Sequence, residues 1–325
     1  MKRPLPGLAV GAVTLALPAV LDDSALSVYI FLGLAAMVTV GVSLLMGYAG
    51  QVSLGQGAFY AVGGYTAGIL AVHGGPPVLG LLAAPVVAAV FAAVIGVPLL
   101  RLRGHHLAFA TLATQLILLS LAGQLEFTGG DIGLQGIPRF GIGPFELGDA
   151  ASYAYLTWAG VAVVMLVTRN VIDSRPGRAL RALATSETAA ASSGVPVGRY
   201  KLVVFALSAA FAGLAGGIYA FYVGYVAPGS FPVLLSIEYI VMAVVGGLGT
   251  VWGAVVGAAA ITLLVQALNV VGTAPGMPSY APSVLSYAVY ALVLIVVVLF
   301  LPHGLLPAVT GRRAARRPRD AGAGR

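Results

Sequence analysis

The chain has no cysteine, which excludes disulfides and thiolate-ligated metal sites. Lysine is almost as scarce, occurring only at Lys2 and Lys201. Neither lies in a G-x-x-x-x-G-K-[ST] pattern, whose glycine-rich loop and lysine cradle nucleotide phosphates, so this polypeptide carries no P-loop. Charge of either sign is thin: 8% of 325 residues, against about 25% in a soluble domain. The four histidines, His73, His105, His106 and His303, share no ligand spacing on one face, so no metal site is expected. Inside the apolar runs there is no pair of carboxylates, and no nucleophile with a plausible base. An integral-membrane enzyme is therefore disfavoured, and no cofactor is expected.

What the chain has in abundance is apolar sequence, 59% of all residues, in long Leu, Val, Ala and Ile runs without period-2 alternation. In hydrocarbon every backbone polar group must be satisfied within a helix or a closed barrel, and the absence of alternation selects helices. The fold class is all-α, a polytopic membrane bundle. With roughly 20 apolar residues per crossing, ten spans are expected at about 5–21, 25–46, 49–72, 78–100, 105–125, 153–168, 202–224, 233–248, 252–271 and 283–301. The run Gly246-Gly247-Leu248-Gly249-Thr250 also suits a turn inside a re-entrant pair, which would leave eight spans.

Basic residues give the orientation, because short loops rich in Lys and Arg stay cytoplasmic. On the ten-span map Arg139 alone falls outside, and the other 16 of the 17 basic residues fall inside. Asp22, Asp23, Glu126, Asp131, Glu146 and Asp149 fall on the opposite side. Both termini are thus expected in the cytoplasm of a bacterial inner-membrane protein. The net charge of +7 is a topology signal, and no nucleic-acid partner is expected. Lys2 and Arg3 before an apolar run to Leu21 also resemble a signal peptide, but no small-x-small cleavage site precedes Asp22, which favours retention of the span. A single transmembrane domain is expected over 1–311, with a basic disordered tail over 312–325 near anionic lipid headgroups.

Three stretches interrupt the apolar background. The first is a polar island at 169–201, carrying Arg169, Arg175, Arg178, Arg181, Arg199 and Lys201, which reads as a short amphipathic helix held outside the bilayer for a partner to grip. The second is Gly47-Tyr48-Ala49-Gly50-Gln51-Val52-Ser53-Leu54-Gly55-Gln56-Gly57, continued by Gly63, Gly64 and Gly68. Small residues suit close helix packing; Gln51, Ser53 and Gln56 suit either a polar pathway or a broken helix. The third, Thr128-Gly129-Gly130-Asp131-Ile132-Gly133, suits a simple loop or a gate on the outer side. Glu238 is the one acid inside a span, and it is either a pathway residue or a headgroup-level one.

Several of these pieces occur in a recognisable order. They are the 47–59 block, Arg101-Leu102-Arg103-Gly104 leading to Ala108-Phe109-Ala110-Thr111-Leu112-Ala113, and then Thr128-Gly129-Gly130 with Gly133. Gly177-Arg178-Ala179 follows, running through Glu187-Thr188-Ala189-Ala190 to Gly194, and after it come Lys201 to Ser208, Ala212 to Gly217, Pro228, Phe231 and Gly246 to Thr250. From about residue 25 to 305 this set resembles the LivM-type permease of branched-chain amino acid ABC importers.

The resemblance implies a second homologous permease alongside, cytoplasmic ATP-binding subunits below, and an extracytoplasmic binding protein that delivers solute. It implies that Glu187, Ala189, Ala190 and Gly194 form the coupling segment that docks in a groove of the ATPase, with Arg178 and Arg181 at its rim. Leucine, isoleucine and valine are the implied solutes, with urea, amides or other amino acids as alternatives within the family. An ATP-independent carrier or channel and a membrane scaffold remain as readings from other classes.

Overall fold

The structure is a computed structural model that describes residues 17–102, 104–142, 145–272 and Leu292. Ten α-helices carry nearly all of it: α1 (Asp23–Ala49), α2 (Gln56–Val72), α3 (Pro77–Leu99), α4 (His105–Gln124), α5 (Ala150–Asp173), α6 (Arg175–Thr185), α7 (Glu187–Ser192), α8 (Val197–Val223), α9 (Val233–Gly246) and α10 (Val251–Gly272). A two-residue ladder, β1 (Gly141–Ile142) with β2 (Phe145–Glu146), closes the loop before α5.

Seven described segments are long and apolar enough to cross a membrane: α1, α3, α4, α5, α8, Pro228–Gly246 and Val251–Val270. This is a polytopic helical membrane protein. Spans two and four to nine of the sequence reading fall on these seven. Span ten lies outside the described residues apart from Leu292; span one lies outside them except for residues 17–21, where Leu17–Ala19 form a 3-10 turn. Two boundaries differ from expectation. The third span does not begin at 49, because Gly50 takes a left-handed conformation (φ 63°) that stops α1, and α2 starts only at Gln56. The sixth runs past 168 to Asp173, with Arg169 and Asp173 paired at i, i+4 on its exposed face, and ends where Ser174-Arg175-Pro176 starts a new helix.

Burial sorts helices of similar composition into different places. In α1, 89% of the apolar window is buried, against 22% in α3 and 28% in α5, so α1 runs through the middle of the bundle with α5, α8, α9 and α10 around it. Leu82, Val86, Val90 and Val94 of α3 are exposed on a lipid-facing surface.

Lipid tails are as apolar as Leu, so helix contact here depends on close fit and small residues. At the α2–α8 crossing Gly63 abuts Gly213, and Gly216 abuts the Tyr60 carbonyl, with no room for a Cβ at either site. Gly246 meets Gly253 in the same way and makes α9 and α10 a tight hairpin. Gly64 also faces Gly216, as close packing predicts, whereas Gly68 makes room for Leu134 and Ile137 of the α4–α5 loop.

The helix ends divide into two sets. One end of the bundle gathers the C-terminus of α1, the N-terminus of α4, α6, α7, the start of α8 and the α9–α10 turn, and it carries most of the described arginines. Gly47 on Gly249, and the Tyr48 hydroxyl donating to the Gly249 carbonyl at 2.6 Å, tie α1 to the α9–α10 turn at this end.

Candidate functional site

Two polar regions stand out from the apolar frame. The first begins where α1 stops. Residues 51–55 are not helical, and five residues span at most about 17 Å. They start beside Ala184 of α6 at the arginine-rich end and finish where Leu54 N–H donates to Thr111 Oγ1 (2.9 Å) and Gly57 N–H donates to Ser236 Oγ (2.8 Å). Ser236 Oγ donates onward to Gln115 Oε1 (2.7 Å), and Gln115 Nε2 donates to the Phe231 carbonyl (3.2 Å). Gln115 lies midway along α4, so the non-helical stretch penetrates from the arginine-rich end to about half the depth of the bundle. Backbone of this kind is tolerated at membrane depth only where protein buries it or water lines it.

Burial at this level is nearly complete. Gln51, Ser53, Gln56, Thr111, Gln115, Ser208 and Ser236 are each no more than 3% exposed. Gln56 Nε2 donates to Ser208 Oγ (3.2 Å), which brings α8 into the same layer. Pairing is incomplete, however: Gln56 Oε1 and both amide atoms of Gln51 lack a hydrogen-bond partner. An unmade hydrogen bond on a buried polar atom costs about 1–3 kcal/mol, and such atoms are the natural hosts of ordered water or a polar solute.

The structure brings Gln51, Ser53 and Gln56 into this layer and leaves Thr128 and Glu238 elsewhere. Thr128 Oγ1 lies 2.6 Å from the carbonyls of Ala122 and Leu125, in a loop that a Leu134–Val226 bridge pins to the segment after α8. Its contacts are those of a loop staple. Glu238 lines a separate cavity between α1, α9 and α10. Thr111 and Ser208 lay inside quoted motifs without being singled out as site residues. Gln115 and Ser236 were missed, and their only sequence signal is a lone polar residue in an apolar helical run.

The second region is α6–α7 and its joints. Gly177 of α6 sits against the Ile172 carbonyl with no space for a Cβ, which folds α6 back sharply on the end of α5. Leu180 and Leu183 are buried, while Arg178 and Arg181 are exposed. Ser186 separates α6 from α7, and its Oγ accepts from Ala189 N–H (3.3 Å) as the N-cap. At the other end Val195 N–H bonds the Ala190 carbonyl (3.1 Å) and Gly194 N–H the Ala191 carbonyl (3.0 Å), with Gly194 at φ 80°; this is a Schellman close.

The Glu187-x-Ala189-Ala190 run therefore splits between contacts within this chain and an exposed face. Ala189 and Gly194 are exposed. Ala190 is buried within this chain, and the Glu187 carboxylate is paired with Lys201 Nζ at the start of α8. Lys201 is 7% exposed, so its stem is packed and its ammonium reaches back to α7. The sequence marks Lys201 as a basic residue of the polar island and a motif boundary, but a partner 14 residues away on another helix leaves no spacing to read.

Crossing helices, non-helical backbone at half depth and a buried polar layer define a polytopic membrane protein with a polar interior. The chain belongs to the family described as branched-chain amino acid transport system, permease component, whose model matches residues 24–298. It is 34% identical over 270 residues to the high-affinity branched-chain amino acid transport system permease protein LivM of Escherichia coli, covering 74% of this chain and 60% of that protein. It is 33% identical over 262 residues to the LivM protein of Salmonella typhimurium, covering 71% and 59%. A probable LivM protein of Methanocaldococcus jannaschii is 23% identical over 239 residues, covering 71% and 68%. The chain thus spans about 60% of the length of the first two relatives. No solved structure matches it.

Proposed function

We propose that this chain is the membrane permease subunit of an ATP-driven importer that takes up branched-chain or related amino acids handed over by an extracytoplasmic binding protein. The observation that carries the reading is the family match over 24–298, which includes both the half-depth break and the α6–α7 segment. The relatives named above are branched-chain amino acid permeases, and that supports the solute class. With no P-loop in this sequence, ATP hydrolysis falls to separate cytoplasmic subunits. A second homologous permease and the binding protein complete the assembly, in a bacterial inner membrane with both termini cytoplasmic and ten spans in the full chain.

In this account α6 and α7 form the coupling segment. Arg178, Arg181, Ala189 and Gly194 present the docking face, while Glu187 and Ala190 hold the segment to its own chain. A push on α7 passes to α8 through Lys201, and a push on α6 passes to residues 50–55 through the Ala184–Gly50 contact. Gln51, Ser53 and Gln56 then lie on or beside the solute path, at the layer where α2, α4, α8 and α9 meet.

The test is uptake by proteoliposomes containing this chain with its co-purified subunits. ATP-dependent accumulation of leucine, isoleucine or valine is expected. Accumulation of urea or amides in their place would reassign the solute within the family, and transport by the chain alone without ATP would replace the importer reading with a carrier or channel.

A further inference from the structure

Glu238 sits near the middle of Pro228–Gly246, and among the described residues its carboxylate has no hydrogen bond or ion pair. An ionisable side chain at membrane depth is costly, and where one persists it faces a partner or a cavity. Glu238 faces a cavity of about 360 Å³, within the roughly 300–1,000 Å³ range of small-molecule sites. One wall is aromatic: the Tyr60 ring lies 5.6 Å from that of Tyr219 and 6.4 Å from that of Tyr239. The α1 wall is apolar, with Val28, Leu34 and Ala35, and α10 adds Thr262 and Gln266 beside Val265.

These surroundings select one chemistry. A lone carboxylate attracts a cation, tyrosine faces add cation–π attraction, and aliphatic walls shelter a hydrocarbon chain. Among the described lining residues there is no lysine or arginine, so an anion alone is not attracted, whereas the neutral polar Thr262 and Gln266 can sit beside an anionic group that accompanies an ammonium. We infer that the cavity is a binding site for a primary ammonium carried on an apolar chain, with Glu238 as the counter-ion. Free amino acids with branched side chains and ethanolamine lipid headgroups both present a primary ammonium; which of them fills the site rests on the permease reading, but the chemistry of the site does not.

The experiment compares the purified wild-type chain with Glu238→Gln in phosphatidylglycerol nanodiscs, titrated with 3-methylbutylamine and, separately, with 4-methylpentanoate, and read by tyrosine fluorescence. Saturable amine binding is expected in the wild type, weakened about tenfold to a hundredfold in Glu238→Gln, the range for loss of one charged contact. Glu238→Asp, which keeps the charge, is expected to retain binding, and the carboxylate ligand is expected not to bind.

Adding phosphatidylethanolamine to the nanodiscs distinguishes the two sources. Competition with the amine that disappears in Glu238→Gln assigns the site to the lipid headgroup, and no competition assigns it to a free amine. Equal amine affinity in wild type and Glu238→Gln, tight binding of 4-methylpentanoate, or no saturable amine binding at all would overturn the inference. The measurement involves neither ATPase nor uptake, so a failure of the importer reading would leave its outcome intact.

Discussion

The half-depth layer and the α6–α7 segment are both polar interruptions of an apolar chain, yet they divide inside from outside differently. Every named side chain of the layer faces inward, and most are satisfied by partners on α2, α4, α8 and α9. In α6–α7 the polar face is split: Glu187 is tied to Lys201 while Arg178 and Arg181 point away from the protein. The difference separates two ways of failing. Damage in the layer reaches the fold itself, because buried polar atoms lose partners they cannot replace with water. Damage on the outer face of α6–α7 leaves the fold alone and removes only what a partner would have gripped.

Substitutions can sharpen or break that contrast. The largest effect is expected for Gly216→Leu, which forces a side chain into the Tyr60 carbonyl where α8 crosses α2. A loss of about 3 kcal/mol or more is expected, seen as a collapse in the yield of monodisperse protein. Ser236→Ala strips an acceptor from Gly57 N–H and a donor from Gln115. It should cost about 1–3 kcal/mol, read as a lowered melting temperature in detergent.

Glu187→Lys places two ammonium groups together and should lower stability. Lys201→Glu in the same chain should restore it, with a coupling of about 1–2 kcal/mol from the double-mutant cycle. If the single and double variants melt alike, Glu187 is not an internal anchor. The smallest effect on stability, within about 0.5 kcal/mol, is expected for Arg178→Glu combined with Arg181→Glu. That variant should nevertheless recover less ATPase, and a normal recovery would dissolve the distinction between the two regions.

Much of this architecture was legible in the sequence because membrane helices announce themselves by length and apolarity. The glycines at 63 and 64, and the arginine-rich island, were equally plain. The sequence left open whether the 47–57 block was a polar path or a broken helix; in the structure the break is real, and buried polar groups surround it. What stayed hidden were partners across space. Nothing in an apolar run distinguishes α1, which is mostly buried, from α3, which faces lipid, since both read as uninterrupted hydrophobic helices. Gln115, Ser236 and Lys201 acquire meaning only through Gly57, Phe231 and Glu187, on other helices or at distant positions. Resemblance carries Glu187 and Ala190 onto a docking surface; in the fold Ala190 is buried, because a six-residue helix must pack against its own chain to exist, while Glu187 stays partly exposed beside Lys201.

The central claim is that this chain docks an ATPase through the exposed face of α6–α7. It is met most directly by affinity purification from gently solubilised native membranes, with wild type and the Arg178→Glu, Arg181→Glu variant handled in parallel and bound proteins identified by mass spectrometry. The account predicts a P-loop ATPase, a second permease and a soluble binding protein with the wild type, and the second permease without its full share of ATPase in the variant. Recovery of the wild-type chain with no ATPase at all would contradict it.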